Sequence, residues 1–83
     1  MKLLYFAWVR ERIGRAEETR DVPATVKTVA DLMIWLGEQG PEYHAAFSEP
    51  SAVRAAINQQ HVTLDGELLG ATEIAFFPPV TGG

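Results

Sequence analysis

The chain contains no cysteine among its 83 residues. That absence removes disulfides, thiolate metal ligands, iron–sulfur ligation and cysteine nucleophiles together, and it suits a reducing compartment such as the cytoplasm. Long hydrophobic runs are also missing. The apolar stretch from Leu3 to Val9, between Lys2 and Arg10, is too short for a signal-peptide core or a membrane span, so no membrane association is expected. Positive charge is scarce: seven Lys and Arg stand against eleven Asp and Glu, for a net charge of −4. Such a balance disfavours phosphate backbones and argues against a nucleic-acid partner. The charge is also uneven, since six of the seven cations lie at or before Lys27, whereas from Asp31 onward seven carboxylates face one cation, Arg54. An acidic surface of this kind serves solubility, or partners with basic docking faces.

Catalytic constellations are equally sparse. His44 and His61 lie far apart in sequence, and neither has a second histidine or close carboxylate at metal-ligand spacing. Both read as surface or turn residues. Ser48 and Ser51 have no nucleophile-elbow context and read as loop formers. Adjacent residues in a strand point to opposite faces, so Glu17 and Glu18 read as solvated strand polarity and not as an acid–base pair. No glycine loop of phosphate-cradling type appears. An independent enzyme is therefore disfavoured, with no catalytic residue and no metal ligand expected in this chain.

What is present fits one small α+β domain. Leu3 to Val9 reads as a central strand, Arg10 to Ala16 as a loop, and Glu17 to Val22 as an edge strand closed by Pro23. Val29, Leu32, Met33 and Leu36 fall at i, i+3, i+4 and i+7, one helical stripe. Thr28 stands at the N-cap position with Asp31 three residues on, a relative of the capping box, and Gly40-Pro41 supplies the stop. Glu42 to Phe47 suggests a further helical turn and Ser48 to Ser51 a loop. Val53 to Ile57, Val62 to Leu64 and Thr72 to Phe77 read as strands, with turns at Asn58–His61 and at Asp65-Gly66. The order predicts a mixed five-stranded sheet packed on one main helix.

The last eight residues, FFPPVTGG from Phe76 to Gly83, carry the functional signal. Pro78 and Pro79 lack backbone donors, so the sheet is expected to stop near Phe77 and the chain to project outward. Residues 1–77 then form the globular domain and 78–83 an extended diglycine tail, whose reach is roughly 20 Å at about 3.3 Å per residue. Two glycines without Cβ let a backbone pass a narrow channel and approach reacting groups closely. A carboxylate placed there can attack the α-phosphate of ATP, and the acyl-adenylate so formed opens its carbonyl to sulfur or amine nucleophiles.

With EIAFFPPVTGG at Glu73 to Gly83, VRE at Val9 to Glu11 after an apolar stretch, and AINQ at Ala56 to Gln59, the chain resembles the small subunits of molybdopterin synthase, ubiquitin-like sulfur carriers of the β-grasp fold. The likeness spans nearly the whole chain. It departs where the family has an Asp-Gly-Asp turn before the glutamate, because Gly70, Ala71 and Thr72 stand there. The resemblance implies that Gly83 is adenylated by a ubiquitin-activating-like enzyme and converted to a thiocarboxylate with sulfur from a donor protein. ATP is used by the activating partner, and no cofactor is bound tightly by this chain. It further implies insertion of Pro78, Pro79, Val80, Thr81, Gly82 and Gly83 into the active site of the large subunit, which holds the catalytic residues. Sulfur passes there to cyclic pyranopterin monophosphate, within a heterotetramer of two small and two large subunits.

Phe76 to Thr81 then set the insertion depth, with Phe76 or Phe77 closing a hydrophobic contact at the mouth. Arg10 either pairs with an acidic partner group or balances Glu11 locally. Other readings use the same terminus, as a carrier for thiamin or cysteine sulfur or as a ubiquitin-like modifier. A different class, a noncatalytic interaction module using its acidic face, needs no terminal modification.

Overall fold

The structure, a computed structural model, describes residues 1–79. Its elements are β1 (Lys2–Tyr5), α1 (Ala7–Ile13), β2 (Glu17–Thr19), α2 (Val29–Gly37), α3 (Pro41–Phe47), a short 3-10 turn (Pro50–Ala52), β3 (Arg54–Ile57), β4 (Gln60–Val62) and β5 (Glu73–Phe77). The strands form one mixed sheet in the order β2-β1-β5-β3-β4. β1 and β5 run parallel, with Leu3 opposite Ile74 and Tyr5 opposite Phe76, and the other neighbours are antiparallel. The expected five-stranded α+β architecture on a main helix is therefore present, accompanied by two shorter helices.

Helix α2 forms where local chemistry dictates it. Thr28 Oγ1 accepts from the Asp31 amide at 3.1 Å and Asp31 Oδ2 accepts from the Thr28 amide at 3.2 Å, a reciprocal capping box. Val29, Leu32, Met33 and Leu36 are all buried, in the core cluster that also holds Leu3, Ile74 and Phe76 of the sheet, as the stripe predicts. The helix ends at Gly37, and α3 starts at Pro41, where a missing N–H costs nothing. Its Tyr43, Ala46 and Phe47 complete the core, and α3 packs on both α1 and α2.

The reading of Leu3 to Val9 as one strand is overturned. Buried positions alternate at Leu3 and Tyr5, then switch to the four-residue spacing of Val9 and Ile13. A short apolar run is compatible with either period. Pairing stops after Tyr5, Phe6 caps α1, and Ala7 adopts a φ of 52° as the chain turns out of the sheet. The helix closes on Gly14, whose φ of 88° is left-handed and whose amide donates to the Arg10 carbonyl at 2.8 Å. The segment Arg10 to Ala16, expected as a loop, thus begins inside a helix.

Two strand boundaries also shift. β4 is Gln60–Val62, earlier than expected, because Ile57 pairs with Gln60 across a two-residue turn. Asn58 and Gln59 both have positive φ, 49° and 70°, the geometry of a type I′ hairpin whose twist matches the flanking strands. β2 spans only Glu17–Thr19.

Glu18 corrects the reading of that strand as solvated on both faces. Glu17 is exposed and pairs with Lys2 at 3.3 Å, but the Glu18 side chain is 9% exposed. Its Oε2 accepts 2.7 Å hydrogen bonds from the Tyr5 and Tyr43 hydroxyls, and its Oε1 receives Arg20 Nε at 3.1 Å and Arg15 Nη1 at 3.2 Å. Arg20 also donates to the Tyr43 hydroxyl at 3.1 Å and lies over the Tyr43 ring. One carboxylate thereby ties β1, β2 and α3 together. Burial is the largest single influence on its carboxyl and acts to raise it, but the Tyr43 and Tyr5 hydroxyls and Arg20 together hold it below the ordinary carboxylate range. Burial, reinforced by Glu18, pushes the Tyr5 and Tyr43 phenols upward.

Because the folded-state value of Glu18 is depressed, its contribution is complete above the unfolded carboxylate value near 4.3 and is lost as pH falls through the folded value. Glu18→Gln is expected to cost about 1–3 kcal/mol at neutral pH and to flatten the acid side of the stability profile. Urea unfolding from pH 7 down to pH 3 measures both, and an unaltered acid slope in the variant would contradict this role.

Candidate functional site

β5 occupies the middle of the sheet and leads straight into the C-terminal stem. Hydrogen bonding to β1 on one side and β3 on the other fixes its residues in register, and alternation then assigns their faces. Ile74 and Phe76 point to the core and are fully buried. Phe76 lies between Tyr5, at 6.3 Å and 14° between rings, and Phe47, edge-on at 4.9 Å. Burying such a ring stabilises the fold by about 1.5–3 kcal/mol. The expectation that Phe76 contacts a partner is therefore corrected: a ring with no exposed surface is a core residue.

Phe77 takes the other face, half-buried, with the exposed His61 ring 5.1 Å away. The strand ends there, and Pro78 and Pro79 follow outside any ladder, also half-buried. Val80, Thr81, Gly82 and Gly83, the remainder of the expected tail and the expected modification site, lie outside the described residues.

Around this stem root the fold gathers residues that sequence reasoning did not single out. Phe6, 47% exposed, donates its amide to the Phe76 carbonyl at 3.0 Å. Arg54, the one cation after Lys27, sits directly opposite Phe77 in β3. Its guanidinium donates to the Ser51 carbonyl at 3.2 Å. The sequence did hold a signal for Arg54, its isolation among carboxylates. Phe6 and His61 had none, because their proximity depends on where β1 ends and on the β3–β4 register.

Arg10 is exposed on the first turns of α1, with its amide donating to the Phe6 carbonyl at 3.4 Å. Among the described residues no ion pair joins it to Glu11, so the charge is presented to solvent about one turn from the exposed Phe6. His44 and His61 are both on the surface and on separate elements. Among the described residues no cluster of three potential metal ligands occurs, and no helix is long and apolar enough to cross a membrane.

At the opposite end of β5, Asn58 anchors the strand start. Its Oδ1 accepts from the Thr72 and Glu73 amides at 3.0 and 3.1 Å and from the Thr72 hydroxyl at 3.0 Å. The turn-residue reading of Asn58 holds, with the addition that its side chain replaces ladder partners for β5. The site thus consists of a strand paired on both sides that ends at Phe77 and continues into Pro78 and Pro79 outside any ladder.

Five strands in this order, with a central parallel pair and α2 packed on one face, make the ubiquitin-like β-grasp fold. The chain belongs to the ThiS family, whose model matches residues 3–83. It is 40% identical, over all of its length and 99% of the relative's, to the molybdopterin synthase sulfur carrier subunit of Escherichia coli. Among solved structures it is similar to the putative molybdopterin converting factor, subunit 1, of Pyrococcus furiosus. That likeness has a TM-score of 0.70 and 27% identity over 95% of both chains. It is also similar to the small archaeal modifier protein 1 of Haloferax volcanii, with a TM-score of 0.67 and 25% identity over 96% of this chain and 97% of that one. The likeness to molybdopterin synthase small subunits read from the sequence is borne out.

The two phenylalanines give a direct check on the site. Phe76→Ala should cost about 3–5 kcal/mol in chemical unfolding, as for other buried aromatic truncations, whereas Phe77→Ala should cost less than half of that. Equal losses would mean that Phe77 is core as well and cannot serve at a docking mouth.

Proposed function

We propose that this chain is the sulfur-carrying subunit of a molybdopterin synthase and that its C-terminal glycine is its working group. The observation that carries this reading is the placement of β5: a strand held on both sides at the sheet centre runs directly into Pro78-Pro79 and a diglycine end. Likeness over the whole chain, at 40% identity, to a molybdopterin synthase sulfur carrier subunit supports it. A partner can therefore grip the stem without unfolding the carrier.

The chemistry follows from the reactivity of a carboxylate. The Gly83 carboxylate oxygen attacks the α-phosphorus of ATP in an activating enzyme, expelling pyrophosphate and forming an acyl-adenylate. A sulfide equivalent from a sulfur donor protein then attacks the carbonyl carbon and AMP leaves, so a thiocarboxylate remains. In the large subunit the sulfur bonds to cyclic pyranopterin monophosphate, water attacks the Gly83 acyl carbon and the C–S bond breaks, so the carboxylate is regenerated; two deliveries supply the dithiolene. The catalytic groups belong to that subunit, in an assembly of two small and two large chains working in the cytoplasm. Phe77, Phe6 and Arg10 meet the partner at the mouth, with Pro78 to Thr81 setting how far Gly82 and Gly83 reach.

A second reading has one observation in its favour, the structural likeness to an archaeal modifier protein. Modification would use the same acyl-adenylate but end in an amide to a lysine amine of a target.

Intact-mass measurement after incubation with ATP, the activating enzyme and a sulfur donor tests the proposal. The expected result is replacement of one terminal oxygen by sulfur, followed by conversion of the pyranopterin precursor when the large subunit is added. Deleting Gly83 should abolish delivery while leaving the thermal midpoint nearly unchanged. A chain that stays unmodified with competent enzymes, or that is recovered only as lysine conjugates, would refute the carrier reading.

A further inference from the structure

At the pole away from the stem, the chain carries both a groove and a projecting apolar side chain that nothing in the sulfur chemistry uses. β1 and β5 are parallel, so their first residues share one end of the sheet and the stem leaves from the other. At that first end a groove of about 590 Å³ lies between Met1, the segment 22–28 and the segment 67–70. Val22, Val26 and Leu68 give it apolar walls, and its charged side chains are Lys27 and Glu67.

Leu69 stands on the lip, 95% exposed, the most solvent-accessible large apolar residue described. It is held there. The Ala71 amide donates to the Leu68 carbonyl at 2.9 Å across a turn whose third residue, Gly70, has a φ of 82°, the type II pattern that needs glycine. The Leu68 amide donates to the Lys27 carbonyl at 2.9 Å, and Asn58 Nδ2 donates to the Gly70 carbonyl at 3.4 Å. A leucine fixed outward on a bonded turn loses little further backbone freedom when it is buried by a partner.

Knob and groove are therefore adjacent parts of one patch, whose charged side chains are Lys27 and Glu67, with the Met1 ammonium engaged by the Arg20 carbonyl at 3.2 Å. Among the described residues neither Lys27 nor Glu67 takes part in an ion pair within 4.0 Å. A patch with a protrusion, a recess and opposite unpaired charges is complementary to itself about a two-fold axis. We propose that this pole is a self-association surface, in which Leu69 of each copy enters the groove of the other and Lys27 of each meets Glu67 of its mate. The patch is small beside the roughly 800 Å² per partner of a stable interface, so the dimer is weak and concentration-dependent. It lies at the end of the sheet away from Phe77 and Pro78, so it is independent of the carrier reading.

The test is sedimentation equilibrium of the full chain from about 10 µM to about 1 mM, the range in which weak association shows. Average mass is expected to rise from the 9.1 kDa of one chain toward twice that value. Leu69→Ser should weaken association by about tenfold or more with the thermal midpoint unchanged, because the residue is exposed in the monomer. Lys27→Glu or Glu67→Lys alone should weaken it, and the two together should restore it. A monomer mass throughout, a dimer indifferent to Leu69→Ser, or a double reversal that fails to restore association would overturn the proposal. Sulfur loading of the Leu69→Ser chain should match that of the parent, which keeps this outcome separate from any failure of the carrier chemistry.

Discussion

The ladder on both sides of β5 is the constraint from which the rest of this molecule follows. A strand at the edge could peel away when its extension is pulled. A strand paired with β1 and β3, with Phe76 locked between Tyr5 and Phe47, transmits no such motion to the sheet. Where Pro78 and Pro79 begin is thereby set by the core.

The polar interactions with most at stake secure the margins of that ladder. Glu18 holds edge strand β2 and helix α3 to Tyr5 of β1, and Asn58 supplies acceptors to the first amides of β5. Glu18 replaces water with partners on both oxygens, and among the described residues no buried side-chain polar atom is left unpaired. That matters in a chain this short, where core burial alone leaves only a narrow margin. Parallel pairing of β1 and β5 also polarises the molecule. One end gathers the stem root, Phe6, Arg54 and His61, while the groove and Leu69 occupy the other.

Membership of the ThiS family tolerates local change where backbone geometry is preserved. Gly70 still provides the left-handed turn before β5 although Ala71 and Thr72 replace the usual residues around it. In this chain Ala71 packs against the core and Thr72 bonds to the Asn58 side chain.

Features decided by neighbouring residues were legible in the sequence. The Thr28–Asp31 box, the stripe through Val29 and Leu36 and the proline stop after Phe77 depend on short-range hydrogen bonding, helical period and missing donors, which need no knowledge of distant segments. Tertiary contact decided the rest. Whether Trp8 and Val9 extend a strand or enter a helix turned on where β5 ceases to pair with β1; which phenylalanine faces solvent turned on the same register; and Glu18 became a buried anchor only because Tyr43 and Arg20 meet it from far along the chain. An isolated apolar run or carboxylate is compatible with several surroundings, and packing selects one by satisfying polar groups and burying rings at once.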